Sequence, residues 1–269
     1  MTLSTFLARG RQALRMPPRQ LLKRLAEEAE QQTRRPWARV YPHVLTDRAI
    51  FGESGTNDYD ALWERLAATP FFLHAGDHDR YAGAFRARFA AEVGNVTATA
   101  DAALRHEFDL LGSGRKALGP ALPWLDDFKT GRHYPPQYCR DIEYMELDRP
   151  TDVKVPWELS RCQHFTFLGQ AYWLTGDERY AAEYRAEIEH WLAVNPFAYS
   201  VNWACPMDVA LRAINWIWGF HFMSASTACR DTTFRRSLIR SLFMHGEFVA
   251  RHLERGDRSE EHTSELQSH

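Results

Sequence analysis

Helical segments of two different kinds follow one another between Pro156 and Leu253. Asp177–Val194 carries its apolar side chains on one face, whereas Pro156–Leu174 is apolar nearly all round. The first should therefore lie at the periphery, and the second should be packed on several sides. Two further helices are predicted over Pro206–Met223 and Thr232–Leu253. Enclosed and one-sided antiparallel helices alternate in α/α toroids and solenoids, while a four-helix bundle uses only one-sided helices. The pattern predicts an all-α fold of this toroidal kind.

The upstream part of the chain also has helical periodicity. We predict helices over about residues 2–32, with an interruption at Pro17-Pro18, over about 58–69, and over about 77–93. Apolar side chains recur every four residues in the last of these: Tyr81, Phe85, Phe89 and Val93. This spacing predicts a one-sided core stripe.

The helical periodicity fails between about Arg105 and Val155. The segment is rich in Gly and Pro, which predicts a long ordered loop. Loops of this length inside compact domains are often functional. Polar side chains that this loop could contribute to a site are Asp126, Asp127, Lys129, Arg132, His133 and Tyr134.

Composition excludes several classes of function. The chain has 269 residues, 45% of them hydrophobic and 25% charged, which is ordinary for a globular protein with a real core. A net charge of -2 predicts no general affinity for nucleic acid. No apolar run approaches membrane-spanning length, and no secretory signal is visible. Localisation is left open: cytoplasmic is the default expectation, and periplasmic is the alternative.

No cofactor or metal site is predicted. The four cysteines form no C-x-x-C pair, and neither a P-loop, a dinucleotide fingerprint, a nucleophile elbow nor an H-E-x-x-H motif is present.

The first forty residues are strongly basic, with nine Lys or Arg against three Glu. We interpret residues 1–40 as a helical arm whose charges form a solvated face. The alternative is weak contact with an acidic membrane surface or partner.

The last twelve residues, RSEEHTSELQSH, resemble the in-frame translation of a sequencing-library adapter. We therefore exclude residues 258–269 from reasoning about the fold. A metal-binding role for His262 and His269 is disfavoured for the same reason. On this interpretation the native frame ends near Asp257, and the chain is expected to be a fragment of a longer protein.

The helix Pro206–Met223 carries more polar chemistry than a core helix needs. Its apolar face is predicted to hold Met207, Ala210, Leu211, Ile214 and Trp218. A second stripe holds Asp208, Arg212 and Asn215 at i, i+4 and i+7, with Trp216 beside it. This stripe could form part of a ligand site. Alternatively, Asp208 and Arg212 could form a surface ion pair.

Asn202 and Trp203 lie on the loop 195–204, just before that helix. Loop residues held by rigid helices often bind ligands, but an Asn here could equally form an Asx-turn that caps the helix. On Pro156–Leu174, Arg161 and His164 share a predicted stripe, with Gln163 adjacent. A charge on a mostly apolar helix is costly unless it is paired, which favours a functional role for Arg161 and His164.

Three segments together resemble the N-terminal helical domain of the heparinase II/III-like polysaccharide lyases. They are LPWLDDFKTGRHYP, DVKVPWELSRCQHFTFLGQAYWLTGDERYA and NPFAYSVNWACPMDVALRAINW. The resemblance spans roughly Leu122 to Leu253. It implies an incomplete α/α toroid, here over residues 41–257, followed by a β-sandwich domain that we expect to be missing from the present chain. It also implies β-elimination on polysaccharides that contain uronic acid. The NW-x-C-x-MD form of the third segment resembles proteins placed near exopolysaccharide biosynthesis.

The resemblance implies that Asn202 binds the uronate carboxylate. It also implies a Tyr as base or acid, in a segment after the last helix that is not found here, and an assisting His. The fragment is therefore expected to be inactive by itself. We infer from the residues that carboxylate binding and sugar stacking involve Arg161, Gln163, His164, Trp203, Arg212 and Trp216.

Two alternatives stay open. A toroidal glycoside hydrolase or epimerase would need a pair of carboxylates across a cleft, for which Asp126, Asp127 and Asp208 are the candidates. A non-catalytic helical module could instead bind acidic glycans or a partner protein.

Overall fold

The computed structural model describes residues 33–52, 54–72, 74–144 and 151–252. The predicted helix over 2–32, most of the basic arm, and the tail 258–269 lie outside these residues. The chain divides into two compact units, Met1–Val44 and Leu45–His269. In the first unit residues 33–44 are helical, and the rings of Trp37 and Tyr41 lie 5.6 Å apart.

The second unit is built from α-helices. They are α1 (Asp47–Phe51), α2 (Tyr59–Ala67), α3 (His78–Arg88), α4 (Ala90–Leu104), α5 (Lys154–Ser160), α6 (His164–Thr175), α7 (Glu178–Val194), α8 (Pro206–Met223) and α9 (Thr232–Arg251). Short 3-10 turns cover Ala75–Asp77, Cys139–Asp141, Val201–Trp203 and Thr227–Cys229. Within the described residues the extended structure is limited to two antiparallel two-residue ladders in the long loop: β1 (Glu107–Phe108) with β2 (Lys116–Ala117), and β3 (Asp126–Asp127) with β4 (Arg132–His133). The all-α class is confirmed.

Helix α6 is enclosed, as its all-round apolar surface predicts. It packs against α4, α7 and α8, and α8 in turn packs against α5 and α9. Gly176, in the left-handed conformation at φ 71°, ends α6 and lets the chain return along α7. Helix α7 buries one face through Tyr180, Tyr184, Ile188 and Trp191. Inner helices backed by one-sided outer helices form the layering of an incomplete α/α toroid.

Two predicted helices are interrupted. The segment predicted as Pro156–Leu174 begins at Lys154 and breaks between α5 and α6, where Cys162 has a φ of +54°. Arg161 and His164 therefore do not share a helical stripe. The segment predicted over 77–93 breaks at Phe89, which is 55% exposed, so the predicted core stripe is wrong. Instead the alanine-rich α4 packs its small side chains, among them Ala100 and Ala103, against α6.

The faces of α8 are the reverse of the predicted ones. Asp208, Arg212 and Trp216 are buried, whereas Met207 is 56% and Ile214 is 50% exposed. The polar stripe faces inward because aromatic rings and hydrogen-bond partners from α7, α9 and the preceding loop surround it. Among the described residues, no helix combines the length and the apolar character needed to cross a membrane.

Candidate functional site

A buried arginine forms the centre of the polar core. The guanidinium of Arg212 on α8 lies 4.1 Å from the ring centroid of Trp191 and 5.3 Å from that of Trp203. Its Nη1 donates to Ser160 Oγ and to the backbone oxygen of Asn202, both at 3.2 Å. Its Nη2 has no hydrogen-bond partner. No carboxylate of the described residues forms an ion pair with Arg212, and burial lowers its pKa to about 9.

His245 on α9 holds the other edge of this guanidinium and was missed by the sequence analysis. Arg212 Nε donates to His245 Nε2 at 2.9 Å, and His245 Nδ1 lies 2.7 Å from the backbone oxygen of Ser241. Because a carbonyl only accepts, Nδ1 carries the proton and the imidazole is neutral. Burial, and then the neighbouring cation, hold the pKa of His245 well below its ordinary value.

Asn202 is fully buried next to Arg212. Its Nδ2 donates to the backbone oxygen of Trp124 at 2.7 Å and to Asn195 Oδ1 at 2.9 Å, while its Oδ1 has no partner. Its side chain does not cap α8. The side-chain turn in this loop is made by Ser200, whose Oγ accepts from the backbone N–H of Asn202. The amide therefore ties the long loop to the start of α8.

Trp203 and Trp216 are also in the core. Both rings contact Trp191 and His245, at centroid distances between 4.7 and 5.8 Å. Trp216 shares the inward face of α8 with Asp208 and Arg212, and its indole is fully buried. In this conformation neither ring is available for stacking on a sugar.

Arg161 and Gln163 belong to a separate network at the surface. Arg161 Nε donates to Asp208 Oδ1 at 2.6 Å, and its Nη1 pairs with Glu158. Gln163 Nε2 donates to Glu158 Oε1 at 3.1 Å. Asp208 is thus paired with Arg161, so the predicted surface pair between Asp208 and Arg212 is wrong. Two carboxylates already balance the charge of Arg161.

The remaining predicted residue, His164, faces α7. Its Nε2 lies 2.7 Å from Glu187 Oε2. His106, after α4, makes a similar contact of 2.8 Å with Glu183, one turn before Glu187. The hydrogen bond to Glu183 raises the pKa of His106 to about 9. The sequence analysis predicted no role for His106, Glu183 or Glu187.

The carboxylates proposed for a hydrolase are engaged in structural contacts. Asp127 is fully buried and accepts from the N–H of Lys129, the hydroxyl of Thr130 and the N–H of Asp152. Asp126 lies 2.6 Å from His133. These contacts fold the loop, and the third candidate, Asp208, is paired with Arg161.

Comparison with solved structures finds a mutant of the heparan sulfate lyase HepC from Pedobacter heparinus. The likeness has 20% sequence identity and a TM-score of 0.48, and it covers 79% of this chain. The chain spans about a third of the length of that lyase, 33%. No curated protein sequence matches the chain.

The profile of the family described as Heparinase II/III N-terminus matches residues 97–265. This range is more than half of the chain, and it contains the loop, α5 to α9 and the polar core around Arg212. It also contains all three segments on which the resemblance was based. The chain belongs to the heparinase II/III N-terminus family.

Proposed function

We propose that the protein is a polysaccharide lyase that cleaves a polymer containing uronic acid by β-elimination. In this proposal, the present chain supplies the recognition of the uronate carboxylate. Membership of the heparinase II/III N-terminus family supports the reaction class. β-Elimination requires that the C5 carboxylate be neutralised, that a base remove the adjacent proton, and that an acid protonate the departing oxygen.

The contact between Arg212 and Asn202 is the observation that carries this proposal. Arg212 is a buried cation with no carboxylate partner among the described residues, and it touches the backbone of Asn202. The Nη2 group of Arg212 has N–H donors without an acceptor. A buried cation without an anion is costly, and a bound carboxylate would relieve that cost. The N–H groups of the guanidinium and the amide are donors of the kind that stabilise such an anion.

The backbone of Trp124 contacts Asn202. Its carbonyl accepts from Asn202 Nδ2, which is the donor that a carboxylate would need. The loop that carries Trp124 must therefore move aside when a substrate binds. Long loops over a rigid helical scaffold are suited to such movement.

His245 is a positioning residue in this proposal. Its Nδ1 proton is directed at Ser241 and its Nε2 lone pair at Arg212, so neither nitrogen is free for proton transfer. It fixes the orientation of the guanidinium instead. The base and the acid of the reaction have to come from other groups.

The test uses the protein expressed from its complete open reading frame, with a panel of uronate polymers. The ultraviolet absorbance of an unsaturated uronate end reports β-elimination. We expect Asn202→Ala to lower turnover by about 10²- to 10³-fold, as loss of an anion-stabilising donor does. Asn195→Ala is the matched control, because Asn195 is equally buried and belongs to the same amide network.

Turnover is compared per folded molecule, with the folded fraction taken from circular dichroism. Equal losses in the Asn202 and Asn195 variants would reduce Asn202 to a structural residue. Saturated product ends would point to a hydrolase, and binding without any product would point to a glycan-binding module. Either result contradicts the lyase proposal.

A further inference from the structure

A second group of chemically active side chains lies apart from Arg212, at a pocket of about 670 Å³ between the long loop and α7. His106, Glu183 and Glu187 each offer a ligand atom there, and the three atoms lie within 4.8 Å of one another. Glu183 and Glu187 are one helical turn apart on α7, so their carboxylates share a face. The proposed lyase function uses none of these three residues.

His106 is held in the orientation of a metal ligand. It has a φ of +52°, which is unusual for a residue other than glycine, so the surrounding structure imposes its position. Its Nδ1 lies 2.6 Å from the backbone oxygen of Gly119, and it must donate because a carbonyl only accepts. Histidines that bind metals characteristically donate their other N–H to a carbonyl or carboxylate in this way.

The other nitrogen of His106 points at a carboxylate. Nε2 lies 2.8 Å from Glu183 Oε1. With the proton of a neutral imidazole on Nδ1, the lone pairs of Nε2 and Oε1 would face each other. A positive charge must therefore neutralise this contact. At the present separation of 2.8 Å it is a second proton, which a metal ion would replace as the two atoms move apart.

Glu187 provides an independent observation. It is only 3% exposed, and one of its oxygens, Oε2, is held by His164. The second oxygen, Oε1, is buried and has no hydrogen-bond partner. A buried carboxylate oxygen without a donor is costly, and coordination of a cation is one of the few ways to satisfy it.

We propose that His106, Glu183 and Glu187 form a binding site for a divalent transition metal ion, with Zn²⁺ as the probe. Imidazole nitrogen and carboxylate oxygen are both zinc ligands, and zinc sites with three protein ligands leave a further position open to water. Bonds of about 2.1 Å at tetrahedral angles place ligand atoms roughly 3.4 Å apart, so His106 Nε2 and Glu183 Oε1 must separate from 2.8 Å on binding. His164 is a positioning residue that holds Glu187. Mg²⁺ is expected to bind much more weakly, because it prefers oxygen ligands alone.

The experiment is a titration of the full chain with Zn²⁺, followed by calorimetry and by the shift in melting temperature. We expect saturable binding of one ion and a higher melting temperature. His106→Asn removes the imidazole and keeps a residue that tolerates positive φ. His106→Asn, Glu183→Gln and Glu187→Gln should each weaken Zn²⁺ binding by at least about tenfold.

Two substitutions serve as matched controls. Glu189→Gln removes a carboxylate from the same helix, one that pairs with Arg185 outside the pocket. His133→Asn removes a histidine from an exposed pair with Asp126 in the same loop. Both controls should bind Zn²⁺ as the parent does. Glu187→Gln preserves shape, so the comparison holds even if His106→Asn fails to fold.

The proposal is overturned if no saturable uptake of Zn²⁺ occurs. It is also overturned if Glu183→Gln and Glu187→Gln, shown to be folded, bind Zn²⁺ as tightly as the two controls, because the ion would then be held elsewhere. Equal affinity for Mg²⁺ and Zn²⁺ would contradict the role of the imidazole.

Discussion

At the scale of single residues, the core of this domain encloses a cation without an anion. Arg212 is stabilised by the faces of Trp191 and Trp203 and by acceptors on Ser160, Asn202 and His245. Attraction to aromatic rings and several hydrogen bonds offset part of the desolvation of a buried charge. The same arrangement requires a neutral His245, since a second positive charge would sit 2.9 Å from the first.

The neutral state of His245 predicts a dependence of stability on pH. Its pKa is lowered in the folded state, so below about pH 6.5 the unfolded chain binds a proton that the folded chain does not. The contribution of neutral His245 to the stability is fully present above about pH 6.5 and is lost as the pH falls. Denaturant unfolding between about pH 5 and 6.5 should show a loss from this residue of up to about 1.4 kcal/mol per pH unit.

His245→Gln is the comparison for this prediction. Glutamine can donate and accept but does not titrate, so the variant should lose less stability per pH unit than the parent. The difference between the two slopes isolates His245 from other titrating groups, including His190 and His221, whose pKa values burial also lowers. Identical slopes would show that folding does not lower the pKa of His245.

The sequence identified several of these residues but not their surroundings. Arg212 and Trp216 stood out because a core helix does not need them, and that inference led to the centre of the polar core. Their burial could not be predicted, because it depends on rings and carbonyls contributed by distant parts of the chain. His245 did leave a signal, since it lies on the buried stripe of α9 with Phe234, Leu238, Ser241 and Phe248.

At the scale of elements, the crossing of α6 and α8 depends on glycine. A Cβ on Gly169 would lie 2.5 Å from the ring of Phe222, closer than real side chains approach. Gly169→Ala should therefore lower the free energy of unfolding by about 1–3 kcal/mol through overpacking. Denaturant unfolding of the purified variant measures this change.

Gly246 in α9 is the matched control. A Cβ there would meet nothing within 4 Å, so Gly246→Ala should raise the free energy of unfolding by about 0.5–1 kcal/mol through helix propensity. Opposite signs of the two changes cannot arise from the general preference of helices for alanine. Stabilisation by Gly169→Ala would mean that the two helices are farther apart than described.

Element bounds followed from the sequence where local signals were strong. Pro206 and Asp231 mark the starts of α8 and α9, and Asn195 follows the end of α7. Which face of α8 is buried could not be predicted in this way. Periodicity reveals two faces, but the neighbours decide which face is covered, and here they cover Asp208 and Arg212 and leave Met207 and Ile214 exposed. The break at Cys162 likewise has no local sequence signal, because a left-handed cysteine is imposed by packing.

At the scale of the whole molecule, packing controls the reactivity of the thiols. Cys139, Cys162 and Cys229 are buried, and Cys205 is half-buried before α8. Burial raises the pKa of all four, to about 11 for Cys139 and Cys229. A thiol reagent at neutral pH should therefore modify Cys205 slowly in the native protein and the other three only on unfolding.

Mass spectrometry of the labelled peptides checks this order. Cys205→Ser should remove the native reaction and leave the labelling of the unfolded chain otherwise unchanged. Rapid native labelling of Cys162 would contradict the packing of α5 and α6 around it.

Trp124 connects the two regions that carry the proposals. Its carbonyl accepts from Asn202, and its indole Nε1 donates to His190 at the pocket beside α7. A loop movement that uncovers Asn202 therefore also strains or breaks the bond to His190. By thermodynamic reciprocity, a ligand that holds the loop against α7 opposes exposure of the Asn202 amide. A sugar that displaces the loop weakens ligand binding at the pocket by the same factor. Ligand binding at the pocket would then change the affinity for sugar at Asn202 without any change in the helices.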